Sequence, residues 1–176
     1  QASGEDPELG RAAGVAVHRV LQLWDLQDRE ALRCVSKEIL SGVVAQFSVT
    51  ELDLRVAVEE ILGDLLESGL AEEMQNLEVV GREIPFECAY QGVLVRGVID
   101  LLAKRGTEWV IVDFKTDRVA GAELGAWTQR YVPQMGSYAQ AVKSSLGLDA
   151  PPKCELWALR AGKILPLEPS AACLDF

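Results

Sequence analysis

The residues whose types and spacing suit chemistry are Asp100, Asp113 and Lys115, followed by Gln134 and Tyr138, in the stretches GVIDLL, IVDFKTD and QMGSY. In a strand the side-chain period is two, so Asp113 and Lys115 of WVIVDFK project from one face and Phe114 from the other. A carboxylate and an ammonium buried without partners would cost several kcal/mol, so their place in an apolar run calls for a partner such as a hard cation. Mg2+ held by carboxylates acidifies a water and clamps phosphate oxygens. A neighbouring lysine can hydrogen-bond the attacking water and the scissile phosphate as a point charge. The pattern is that of metal-dependent phosphodiester hydrolysis.

These residues need a sheet and a helix to carry them. LEVVGREIPFECAY, GVLVRGVIDLLAK and EWVIVDFKTD are β-rich runs separated by Gln91-Gly92 and by Arg105-Gly106-Thr107, which predicts three consecutive antiparallel strands. TQRYVPQMGSYAQAVKSSLG predicts a helix started near Pro133, stopped at Gly147 and carrying Gln134 and Tyr138 at i, i+4 on one face. Two short strands, CELWALR and KILPLE, follow. Ahead of the sheet, residues 1–8 are expected to be a flexible lead-in. A helix with Val17, Val20, Leu21 and Trp24 at helical spacing comes next and carries His18, the only histidine. A second helix is expected from about Asp28 to Gln46 with Asp28 as its cap, and a third after Thr50, with Asp53 in a capping-box position. Leu54, Val58, Ile61, Leu62 and Leu65 give the third helix an apolar stripe that ends at Gly69. The helices are expected to pack on the sheet.

With 176 residues, 49% hydrophobic and 25% charged, the chain has the composition of one ordinary globular domain. No apolar run reaches the length of a membrane span and QASGEDPELGR has no leader character, so a soluble, cytoplasmic protein is expected. Cys34, Cys88, Cys154 and Cys173 are widely spread without a CxxC pair and read as reduced, mostly buried thiols. The tryptophans read mainly as core, although Trp127, beside Thr128, Gln129 and Arg130, is a candidate for stacking on a base from a polar loop. The formal net charge of -10 opposes DNA binding, but residues 101–145, with 6 basic and 4 acidic side chains, are net positive while residues 1–100 hold 8 and 19. A domain that receives its strand from something else follows from that distribution.

Taken in order, the helix with His18, the strand ending in GVID, the strand with VDFKTD and the helix with QMGSY resemble the RecB-like branch of the PD-(D/E)XK nuclease superfamily. More narrowly they resemble the C-terminal nuclease domain of AddA/RecB-type helicase-nucleases. The likeness implies an α/β fold: a restriction-endonuclease-like core with a central mixed β-sheet flanked by helices and an N-terminal helical segment. One domain over residues 9–176 is expected, excised from or C-terminal in a longer helicase-nuclease. It implies His18, Asp100 and Asp113 as metal ligands, with the carbonyl of Phe114 as a further one, and Lys115 as the catalytic lysine. Gln134 and Tyr138 would contact the DNA backbone or steady the site, with Thr116 of the D-x-K-T run beside them. Mg2+ is the implied metal, and because histidine is softer than Mg2+ usually prefers, Mn2+ should substitute. The E-P-F-like strand of the family is visible as Glu83-Ile84-Pro85-Phe86, with no role assigned to Glu83. Relatives with an iron-sulphur cluster need three clustered cysteines after Q-x-x-x-Y; only Cys154 and Cys173 follow it here, so no cluster is expected.

The expected function is then Mg2+-dependent hydrolysis of single-stranded DNA fed by a helicase motor, in double-strand break repair or recombination. No G-x-x-x-x-G-K-[ST] loop is present, so the motor must lie elsewhere in cis or in a partner, and an AddB-like or RecC-like second subunit is implied. Each residue also has a plainer reading: His18 as a satisfied helix histidine, Asp113 and Lys115 as a structural ion pair, Gln134 and Tyr138 as an ordinary helix face. Two rival functions are a catalytically idle domain that guides DNA or scaffolds a complex, which predicts a broken site, and a Cys/His hydrolase built on His18.

Overall fold

The computed structural model describes residues 6–26, 28–119 and 121–168. They fall into two compact units. The first comprises Gln1–Gln75, Lys115–Arg118 and Ala158–Lys163, and the second Asn76–Phe114, Val119–Trp157 and Ile164–Phe176.

The first unit is helical. Helix α1 (Pro7–Leu23) starts within the expected lead-in, because Asp6 caps it by accepting from the Glu8 N–H and Pro7 fits the first turn. Ala12, Ala13, Ala16, Val17, Val20 and Leu21 form its buried stripe. Where one helix was expected over Asp28–Gln46 there are two pieces. Asp28 does cap, but it caps a 3-10 turn (Arg29–Arg33), accepting from Ala31 N–H at 3.2 Å. The chain is then extended at Cys34 (φ -140°, ψ 111°), and Ser36 starts α2 (Lys37–Val44) by accepting from Ile39 N–H. Two cap residues compete within one apolar stretch, and β-branched Val35, buried just ahead of the second, favours the extended break. Helix α3 (Glu51–Glu67) follows its sequence: Thr50 accepts from Asp53 N–H at 3.1 Å, all five stripe residues are buried, and Gly69 at φ 83° ends it. The short α4 (Leu70–Gln75), anchored by Leu70, Ala71 and Met74, was not expected; six residues are too few to display a period. Helix α3 packs against α1 and α2.

The second unit is built on a five-stranded mixed sheet in the order β1-β2-β3-β4-β5: β1 (Glu78–Tyr90), β2 (Val93–Arg105), β3 (Glu108–Lys115), β4 (Lys153–Ala158) and β5 (Lys163–Leu167). The expected antiparallel run β1-β2-β3 is present. Gln91 and Gly92, at φ 50° and 74°, form the two-residue turn whose twist matches a hairpin. Strand β1 lies at the sheet edge, which is where Pro85, lacking an N–H, is tolerated. Between β3 and β4 come α5 (Leu124–Gln129) and α6 (Val132–Leu146). Helix α6 begins with Pro133 in its first turn and stops at left-handed Gly147, as the sequence predicts. It packs on β1, closely enough that a Cβ on Gly136 would fall on the Tyr90 hydroxyl.

Helix α5 corrects the reading of Trp127. The residue is 7% exposed, its ring edge-on to Tyr131 at 5.1 Å, and Leu124 and Trp127 at i, i+3 are the buried face of a helix rather than part of a polar loop. Its ring is therefore core and is not offered to a base. Trp24 and Trp157 are buried as expected, while Trp109 is half-buried under the Lys104 ammonium. The thiols differ from expectation too: only Cys154 is buried, Cys88 is half-buried, Cys34 is exposed, and Cys173 lies outside the described residues. In the core of this unit, Arg105 donates to both carboxylate oxygens of Glu155 at 2.7 and 3.1 Å, and the Trp157 indole N–H donates to the same group at 3.0 Å.

Candidate active site

The β2-β3 ladder pairs Leu101 with Val112 and Leu102 with Ile111. One step beyond Leu101 stand Asp100 and, on β3, Asp113. There the Asp100 side chain takes the place of a backbone acceptor: its Oδ2 accepts the Phe114 N–H at 2.8 Å. That bond fixes the half-buried Asp100 carboxylate against the backbone of the residue that follows Asp113. Phe114 is itself held by its ring, edge-on to Trp157 at 6.1 Å.

Asp113 is 1% exposed. Its Oδ1 accepts from Gln134 Nε2 at 2.9 Å, and the same amide nitrogen donates to the Tyr138 hydroxyl at 2.6 Å. The i, i+4 pair on α6 thus lies along one face and reaches β3. Tyr138 is in turn set by the Phe86 ring, edge-on at 5.2 Å. Phe86 needs the space that Gly97 leaves, since a Cβ there would stand 2.8 Å from the ring. The glycine of the G-x-x-D run therefore has a physical reason: it admits the ring that braces Tyr138, which shares the Gln134 amide with Asp113.

Glu83, to which no role was assigned from sequence, joins the group. Glu83 sits between Arg82, opposite Leu101, and Ile84, opposite Ile99, which puts it across from Asp100. Carboxylate oxygens of the two lie within 4.8 Å of each other. Glu83 has φ 49°, a left-handed conformation costly for a residue with a side chain, inside a strand whose register slips between Val79 and Gly81. Only the nearby Gly81 and Pro85 hint at irregular backbone from sequence; that it turns Glu83 toward Asp100 is visible only in three dimensions. The Tyr138 phenol registers the gathering of charge. Burial pushes its pKa up to about 12, the Gln134 bond opposes this, and the charges of Asp113, Asp100 and Glu83 add to the rise.

The remaining expected site residues belong to the first unit. Half-buried His18 lies on α1, half-buried Lys115 closes β3, and Thr116 follows it. The Thr116 carbonyl accepts from Arg160 Nε at 3.0 Å. Chemically, Glu83 and Asp100 offer hard oxygen donors close to one another, of the kind a divalent cation takes, with buried Asp113 on the adjoining strand. Cys154 and Cys88 are not activated thiols. Burial pushes the Cys154 thiol up to about 12, with Glu155 adding, and burial raises Cys88 as well, the opposite of thiolate activation.

Residues 1–171 match the PD-(D/E)XK nuclease superfamily. Over 162 residues the chain is 30% identical to an ATP-dependent helicase/nuclease subunit of Bacillus cereus, an alignment covering 80% of this chain and 13% of that protein. The corresponding helicase/nuclease subunits of Bacillus thuringiensis and Bacillus cytotoxicus match with the same identity and coverage. The chain thus corresponds to about 13% of the length of these relatives.

Proposed function

We propose, for a chain that belongs to the PD-(D/E)XK nuclease superfamily, that it is a Mg2+-dependent DNA nuclease cutting single strands that a helicase motor delivers. The observation that carries this reading is the approach of Glu83 to Asp100, with Asp113 on the adjoining strand held by the Gln134-Tyr138 pair, in a chain that keeps Lys115 two residues after Asp113. An idle scaffold has no need of a strained glutamate beside a second carboxylate.

Asp100 and Asp113 hold the cation, with His18 and the Phe114 carbonyl completing the set and Glu83 adding a third carboxylate. A divalent ion in that position supplies an acidified water and clamps the phosphate oxygens. Lys115 hydrogen-bonds the attacking water and the scissile phosphate. Gln134 aims the Asp113 carboxylate, and Tyr138 keeps Gln134 in place, the role that partners of metal ligands commonly play. Mn2+ substitutes for Mg2+. Among the described residues no helix is long and apolar enough to cross a membrane. A cytoplasmic location goes with the proposed DNA substrate. The names of the relatives pair a helicase with a nuclease, which supports a motor in cis and a second, AddB-like or RecC-like subunit in double-strand break repair.

Labelled single-stranded DNA at low salt, titrated with Mg2+ and Mn2+, tests the proposal. Cutting that requires the metal and falls about 1,000-fold or more in Asp113→Ala and Lys115→Ala is expected. Metal binding retained in Asp113→Ala, with no cutting by the original chain, would sink it in favour of a scaffold.

A further inference from the structure

Beyond Lys115 the chain leaves the sheet, and Thr116, Asp117 and Arg118 have no helix or strand to hold them. They are held from elsewhere in the same unit. Arg160, in the 3-10 turn Leu159–Ala161 that left-handed Gly162 closes, donates its Nε–H to the Thr116 carbonyl at 3.0 Å. Its side chain is 5% exposed, and its Nη1 stands 3.3 Å from Glu60 Oε2 on α3. The other oxygen of Glu60 accepts from Arg118 Nη2 at 2.5 Å. That bond, more than the Arg160 charge, holds the Glu60 carboxyl below its usual range. Helix α1 also lies against Thr116: a Cβ on Gly14 would stand 3.1 Å from the Thr116 hydroxyl.

A nearly buried guanidinium carries a high desolvation cost, and a bare turn does not require one. The planar guanidinium donates its Nε–H to Thr116 while its Nη1 places charge beside Glu60, a division that the single ammonium of lysine cannot reproduce. The peptide so gripped is the one immediately after Lys115. We propose that Arg160 is a positioning residue for the nuclease: by fixing the Thr116 carbonyl it sets the backbone from which the Lys115 side chain reaches the phosphate. Glu60 aims Arg160 and ties it to Arg118, so both ends of the Thr116–Arg118 segment are fastened to one carboxylate. The inference rests on the nuclease reading above.

The test compares Arg160→Met, which removes the donor, with Arg160→Gln, which retains an uncharged N–H, in the Mn2+-supported reaction. In Arg160→Met kcat falls about tenfold to a hundredfold while KM and calorimetric Mn2+ affinity stay within about twofold, since a displaced catalytic group costs rate rather than binding. Arg160→Gln recovers part of that loss at a similar melting temperature, which a purely structural role would not allow. Should Arg160→Met not fold, Glu60→Gln carries the test, with a severalfold fall in kcat at unchanged KM. Equal kcat per folded molecule in all variants overturns the positioning role and leaves the nuclease reading intact. An original chain that binds no Mn2+ and cuts nothing overturns both.

Discussion

Two nearly buried acids in the sheet unit are answered in opposite ways. Glu155, 7% exposed, receives both prongs of the Arg105 guanidinium and the Trp157 indole N–H. Asp113, 1% exposed, receives at Oδ1 the uncharged carboxamide of Gln134. A guanidinium cancels the charge it holds, whereas a carboxamide orients a carboxylate and leaves its charge in place. The first arrangement neutralises a buried acid for the sake of the fold. The second sets one oxygen of the carboxylate with a neutral partner, and the contacts behind that partner run through Tyr138 and Phe86 to the space at Gly97.

The contrast breaks most visibly at Arg105. Arg105→Met strands Glu155 and should lower stability by about 2 kcal/mol, less than the ~3 to 5 of a fully buried pair because the Arg105 side chain is 38% exposed. Urea midpoints read this, and Mn2+ affinity should not move; a loss of metal binding would mean that Glu155 is no mere structural acid. The counterpart at Asp113 is Gln134→Ala. Calorimetry should show Mn2+ bound about tenfold more weakly, the usual scale for losing a partner of a metal ligand, with little change in the urea midpoint. Unchanged affinity would refute the orienting role.

A smaller effect sharpens the picture at high pH. Burial, opposed by the Gln134 bond and reinforced by the nearby carboxylates, raises the Tyr138 phenol to about 12. The unfolded chain then gives up that proton first, near its ordinary value of about 10, so this contribution to stability is intact below about pH 10 and is lost as pH rises toward about 12. Tyr138→Phe should flatten the decline in urea midpoint between about pH 9 and about pH 11. Parallel declines in the two proteins would show that Tyr138 does not carry it.

What the sequence disclosed follows from the range of the interactions involved. Helix α3, α6 and the β1-β2-β3 run were legible because caps, periods and turn residues act within a few positions of one another. The break at Cys34 and the short α4 and α5 were not, because a few residues display no period and burial of Val35, Met74 and Trp127 depends on distant partners. At the site, Asp100, Asp113, Gln134 and Tyr138 could be singled out from motif spacing, and structure adds which atom holds which. Glu83 needed its left-handed backbone to be seen, and Arg160 meets Thr116 from 44 residues away, a separation that no local pattern records.

The missing Cβ at Gly136 bears on how such chains can change over generations. It stands between Gln134 and Tyr138 on α6, where any side chain would run into the Tyr90 hydroxyl and push the helix off β1. An inherited replacement at Gly136 is therefore tolerable only alongside a shorter residue at Tyr90. The two positions, 46 residues apart in a 176-residue chain, are expected to drift as a linked pair while the residues they protect stay fixed.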